Sequence, residues 1–190
     1  MKADIDSANS GGGMNSENRG GRMNSTQDYS ASRANQNEQE QDRQFLVNAA
    51  KTNLKQIEAG QLAQQNGQTE QVRALGKSLE EAHTQSQQDL TALAERKNIS
   101  LPSSANDNAK EDYNDLKNES DDDFDKAYTD MMVSAHEDSI EAFEQASNDS
   151  KDSDVKKWAT ETLPNLRKHL TQSRDCQTKL STMTLEKGKN

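Results

Sequence analysis

The stretch FLVNAAKTNLKQIEAGQLA (residues 45–63) decides the fold. Phe45, Leu46, Ala49, Ala50, Leu54, Ile57 and Leu62 recur every three or four residues, so a helix of 3.6 residues per turn gathers them into one apolar stripe. Asn66-Gly67 closes this helix, because glycine tolerates a left-handed cap. The same rhythm returns three times. Thr69 caps a second helix with the stripe Val72, Leu75, Leu79, Ala82, Leu90, Leu93 and Ala94. It breaks between Asn98 and Ser104, where Leu101-Pro102 favours an extended corner. Ser120 followed by Asp121, Asp122 and Asp123 reads as a cap plus negative charge at the positive end of a helix dipole. The third stripe is Phe124, Ala127, Tyr128, Met131, Met132, Ala135, Ile140, Phe143 and Ala146. A fourth helix starts near Ser153 and carries Val155, Trp158, Ala159, Leu163, Leu166, Leu170, Leu180 and Met183; Pro164 inside it predicts a kink or a division.

No strand pattern accompanies these stripes. They predict an all-α, antiparallel four-helix bundle over residues 41–184, with 185–190 as a C-terminal tail. A thin stripe (Ala109, Tyr113, Leu116) predicts a short polar helix over 105–117. It lies within the one long crossover, 98–121, between helices two and three, the kind of connection found in ferritin-like bundles.

Composition agrees with thin amphipathic helices. Of 190 residues 29% are apolar and 4% aromatic, well below the roughly 45–50% apolar content of ordinary globular chains. Residues 1–40, rich in Gly, Asn and Ser, carry Ile5 as their one large aliphatic residue besides Met1, Met14 and Met23. Too little apolar surface is available there to offset the ordering of the backbone, so a disordered linker or interaction arm is expected. No run of about 18 apolar residues offers a membrane span, and MKADIDSANSGGG (1–13) lacks the apolar core of an export signal.

The net charge of −10 is uneven: residues 105–154 hold 17 acidic and 4 basic residues, leaving the rest at +3. No basic stripe is present to follow a phosphate backbone, which argues against nucleic acid. The acidic face over 105–154 is either solvated surface or a contact for a cationic protein partner. A single cysteine, Cys176, excludes an internal disulfide and a thiolate-cluster zinc site.

Several motifs occur in an order that resembles the bacterial domain of unknown function 4142 family: FLVNAA (45–50), EAGQLA (58–63), His83 followed by Leu90, LAERKNISLP (93–102), FDKAYTDMMVSAH (124–136) and TLPNLRKHL (162–170). The resemblance covers about residues 43–180. It implies a ferritin-like helical bundle and an address in the periplasm or cell envelope, many members being described as outer-membrane proteins; no agreed activity comes with it. Two positions depart from that pattern. Gln56 stands where members often carry Glu, and Ala82 where an Asp often precedes the first histidine. Each departure removes a carboxylate near a potential polar centre.

The three histidines, His83, His136 and His169, fall one each on helices two, three and four, each beside its apolar stripe. Imidazole suits zinc, copper and iron, so three converging rings would make a mononuclear site, with Glu58 or Glu80 assisting. A di-iron centre of the ferritin kind needs two Glu-x-x-His pairs; only Glu80 with His83 has that spacing, since Val133 and Leu166 precede His136 and His169 by three. Without them, the residues favour hydrogen-bonded histidines that set helix register, and the metal site stands second. Met131 and Met132, one turn before His136, raise copper but read as core filler. Asp121, Asp123 and Asp125 have the alternation of a calcium loop, yet Lys126 and Met132 occupy its Gly and Glu positions, so capping explains them better. Tyr128 is expected to bury its ring and find its hydroxyl a structural partner, among them a histidine. Cys176, next to Asp175, has no activating base. Two functional readings follow: a non-enzymatic structural, stress-related or interaction module, or a metal-binding or metal-dependent redox protein. Dimerisation through Cys176 is a third.

Overall fold

The computed structural model describes residues 21–104, 114–119 and 121–187, and among these the chain is all-α. Four long helices, α1 (Gly21–Asn66), α2 (Glu70–Arg96), α4 (Asp121–Asp149) and α5 (Ser153–Lys187), are joined by a short segment, α3 (114–118). The helical count is therefore five among the described residues, one more than a bare four-helix pattern. No helix there is long and apolar enough to cross a membrane.

The chain divides into two units, Met1–Asn37 and Glu38–Asn190. In the first, the expectation of a disordered tail is corrected for residues 21–37, which are helical; residues 1–20 lie outside the described part. Residues 32–37 are exposed throughout, so burial does not hold that stretch. A count of core-forming residues misses such a stretch because, once a stable helix exists, each added residue extends it at little cost. At the far end α5 runs through Lys187, three residues into the expected tail; 188–190 lie outside the described part. Pro164 does not divide α5.

The turn between α1 and α2 differs in mechanism from the expectation. Gly67 is not in the left-handed region; it is required because a Cβ there would stand 2.5 Å from the Ala63 carbonyl oxygen. The left-handed residue is instead Asn98 (φ 54°), just past α2. Thr69 does cap α2, its hydroxyl accepting from the Val72 amide at 3.3 Å. Ser120, the cap expected for α4, lies outside the described residues.

Polar pairs establish the directions of the helices in the second unit. Asn53 meets His83 while Gln64 meets Glu80, so α1 and α2 are antiparallel. Glu144 with Arg167, Glu137 with Arg174 and Asp130 with Gln177 make α4 and α5 antiparallel. Thr69 with Asp125 and His83 with His136 make α2 and α4 run the same way. The expected antiparallel order thus holds within each hairpin and not between them. Two helices running the same way need a connection as long as themselves, which is why 97–120 is long. Asp125, almost fully buried, accepts from the Gln68 and Thr69 amides and the Thr69 hydroxyl at 2.8–2.9 Å. It therefore ties the start of α4 to the turn between α1 and α2, a different capping duty from one on its own helix.

Between α1 and α2 the backbones touch. A Cβ on Gly76 would lie 2.8 Å from the Gly60 carbonyl and 2.7 Å from Ala63 Cβ. The core has two apolar clusters. One gathers Leu46, Leu90, Phe143, Val155 and Leu163; the other gathers Leu62, Leu79, Phe124, Tyr128 and Met132. Along each long helix the two sets are separated by buried polar residues: Asn53 and Gln56 on α1, His83 on α2, His136 and Ser139 on α4, His169 and Ser173 on α5. A polar layer divides the core.

Candidate metal centre

The three histidines converge in that layer. Their ring centroids form a nearly equilateral triangle, 5.5, 5.4 and 5.4 Å on a side. All three are buried, and each offers a nitrogen such that the three lie within 4.8 Å of one another. Periodicity explains the placement: His83 follows Leu79 by four, His136 follows Met132 by four and His169 follows Leu166 by three, so each ring inherits the inward face of its apolar neighbour.

Hydrogen bonds fix which nitrogens carry protons. His136 Nδ1 stands 2.7 Å from the Met132 carbonyl; a carbonyl only accepts, so Nδ1 holds the hydrogen and Nε2 keeps its lone pair. His83 Nδ1 lies 3.0 Å from Asn53 Oδ1, an acceptor in this orientation of the amide, so the hydrogen is assigned to Nδ1. The Asn53 amide is oriented in turn by donation to Ser86 Oγ (3.2 Å) and Gln87 Oε1 (3.4 Å), which leaves His83 Nε2 bare as well. The two bare nitrogens face each other at 3.4 Å. With the hydrogens assigned in this way two lone pairs meet, an arrangement that a shared proton or a cation between them relieves. Nitrogens 2.0–2.1 Å from one ion at a tetrahedral angle stand about 3.3–3.4 Å apart. The Nε2 pair already has that separation.

Burial disfavours the proton. It pushes the His83 imidazole well below its usual range, helped by His136 and His169. Burial lowers His136 too, against the opposing pull of the Met132 carbonyl, and brings His169 down to about 4 with help from His136 and Lys168. Near neutral pH the layer therefore presents neutral, metal-competent imidazoles. Donation of the remote ring N–H to a carbonyl or an amide oxygen is the usual device that orients metal-bound histidine and raises its basicity.

Other buried polar atoms of the same interior have no partner: both amide atoms of Gln56, the Tyr128 hydroxyl, His169 Nδ1 and Gln172 Oε1. The expected bond from Tyr128 to a structural partner is thus not made. Burial, then Cys176, pushes the phenol well above its usual range, which keeps it protonated. The two carboxylates proposed to assist are not brought in. Glu80 accepts from Gln61 and Gln64 at 2.8 and 2.6 Å, and neither Glu80 nor Glu58 joins the group of histidine nitrogens. Asp125 is engaged with the turn before α2, so it is not free for a calcium loop. Cys176 is buried in the second apolar cluster, and burial followed by Asp125 raises its thiol, which fits neither a nucleophile nor an accessible crosslink.

Asn53 escaped the sequence reading. A signal existed: it lies three after Ala50 and three before Gln56 on the buried face of α1, where a polar residue needs a partner. Gln56 was visible only as a departure from a family pattern.

Comparisons with known proteins agree with the fold. The family model of the domain of unknown function DUF4142 matches residues 27–176. Among solved structures, the chain is similar to the crystal structure of a DUF305 fragment from Deinococcus radiodurans, at 12% identity and a TM-score of 0.65, over 73% of this chain and 96% of that one; at that identity the likeness is one of fold. No curated protein matches. With its motifs and most of its length inside the match, the chain belongs to the DUF4142 family.

Proposed function

We propose that this protein binds one transition-metal ion of the zinc, copper or iron class through His83, His136 and His169. The observation that carries the reading is the pair of bare Nε2 atoms 3.4 Å apart, each held by a donor bond from its own Nδ1. That feature reverses the order in which the residues alone rank the two functions. Histidines that merely set register would turn a donor toward an acceptor, whereas these two turn acceptors toward each other. The reading is one of binding, and no reaction is assigned. It takes the scaffold as a ferritin-like bundle, supported by two antiparallel hairpins joined through a long crossover, and places it in the cell envelope on the family resemblance.

Metal content of the untagged full chain, purified without chelator and then dialysed against zinc, tests the proposal by mass spectrometry. One ion per chain is expected, falling by more than half in His136→Leu while the far-ultraviolet circular dichroism stays helical. Metal-free protein, or zinc retained by a variant with all three histidines changed to Leu, contradicts it and returns the layer to a structural or partner-binding role.

A further inference from the structure

A cavity of about 630 Å³ opens beside the centre, within the roughly 300–1,000 Å³ that accommodates small molecules. Of the three histidines, His83 alone reaches its lining. Phe45, Leu116, Met131 and Phe143 supply apolar wall, and Gln56 lines the cavity as well. Gln56 is fully buried, and neither its Oε1 nor its Nε2 has a partner. One turn earlier on α1, Asn53 uses both ends of the same kind of amide. An unmet buried donor or acceptor is costly, so Gln56 carries hydrogen-bonding capacity that no group among the described residues meets. Its amide offers one acceptor and one donor side by side, which suits a neutral molecule having both. Charge around the cavity points the same way: Asp115, Glu119 and Asp138 line it against Lys55, an excess that opposes an anion.

We propose that this cavity admits a small uncharged molecule with a nitrogen or oxygen donor, which hydrogen-bonds to Gln56 and completes the coordination of the ion on its His83 side. The inference rests on the metal reading above. Three imidazoles leave one position of a tetrahedral ion open, the arrangement of sites that bind an exchangeable ligand. Gln56 is then a positioning residue for that ligand.

The probe is imidazole at pH 8, where it is neutral, added to the cobalt(II)-loaded full chain while the visible bands of the cobalt are recorded. Wild type should show a saturable spectral shift, and Gln56→Leu should need about tenfold more imidazole, the loss of the one hydrogen bond that the N–H of metal-bound imidazole can donate to Gln56 Oε1. Cobalt affinity should stay within about twofold, and the variant should melt no lower than wild type because an orphan amide has been removed. Azide at equal concentration should perturb the bands less. Bands blind to imidazole, equal imidazole affinity in Gln56→Leu, azide as effective as imidazole, or a variant melting well below wild type would each overturn the proposal. Failure of the chain to take up cobalt overturns the metal reading and this inference together, whereas cobalt that binds but ignores imidazole overturns this inference alone.

Discussion

Two regions of one interior follow opposite rules. In the apolar clusters around Leu90 and Phe124 the buried groups, the Tyr128 hydroxyl apart, are satisfied by contact alone, and stability scales with the area removed from water. In the polar layer between them, His83, His136 and His169 lie as deep as those leucines, yet their nitrogens are left with bare lone pairs. A stretch of core that buries three imidazoles and leaves Gln56 and His169 Nδ1 unpaired is built differently from the apolar packing on either side of it. The contrast teaches that burial alone does not identify a structural residue; what decides is whether the buried atom's partners are present.

The contrast can be broken most forcefully by substitution. Phe124→Ala should lose about 3–5 kcal/mol of stability in urea denaturation, the usual cost of emptying a large buried site. His136→Leu, at similar volume in the layer, should change it by no more than about 1 kcal/mol while cutting metal content by more than half. Equal large losses at both sites would mean that the layer is ordinary core.

Acid sharpens the same comparison. Because folding holds His169 down near pH 4, against about 6.5 in the unfolded chain, only the unfolded state gains a proton between those values. Stability of the metal-free protein is therefore full above about pH 6.5 and falls as pH drops toward 4, by about 3 kcal/mol from this group. His83 and His136 act in the same direction. Thermal melts across pH 4–7.5 would show it, and replacing the three histidines by Leu should flatten the profile. A wild-type melting temperature constant from pH 6.5 to 4.5 would mean that the rings are not held neutral.

Smaller effects mark the contacts that hold the layer in place. Gly76→Ala should cost about 1–3 kcal/mol, since its Cβ would press on Gly60 and Ala63 of α1, and it should weaken zinc binding by displacing Asn53 from His83. Titration calorimetry beside a melt would separate the two losses. A Gly76→Ala chain with unchanged stability would show that the helices part easily. The least effect is expected from Asn53→Leu, which removes the His83 acceptor: zinc should bind about 10–100-fold more weakly, the range found for lost outer hydrogen-bond partners, with little change in the melt.

Much of the fold was legible because stripes such as Phe45 to Leu62 and Phe124 to Ala146 have helical period and little else to do. The direction of α4 relative to α2 was not, since periodicity is the same read up or down; only pairs such as Thr69 with Asp125 settle it. The candidate site was half legible. Position beside a stripe placed each histidine on an inward face, but the height at which three rings meet depends on loop lengths and helix offsets that no single stripe contains. Tyr128 misled for a related reason: a buried hydroxyl calls for a partner, and the sequence gives no sign that none lies within reach. Residues 32–37 were read by core content, yet they are helical while exposed.

X-ray absorption at the zinc edge of the loaded full chain tests the central claim most directly. The account predicts three imidazole nitrogens at about 2.0–2.1 Å and one lighter, exchangeable ligand, with no sulfur near 2.3 Å. A first shell dominated by carboxylate oxygen, or one holding sulfur, would place the ion elsewhere and contradict it.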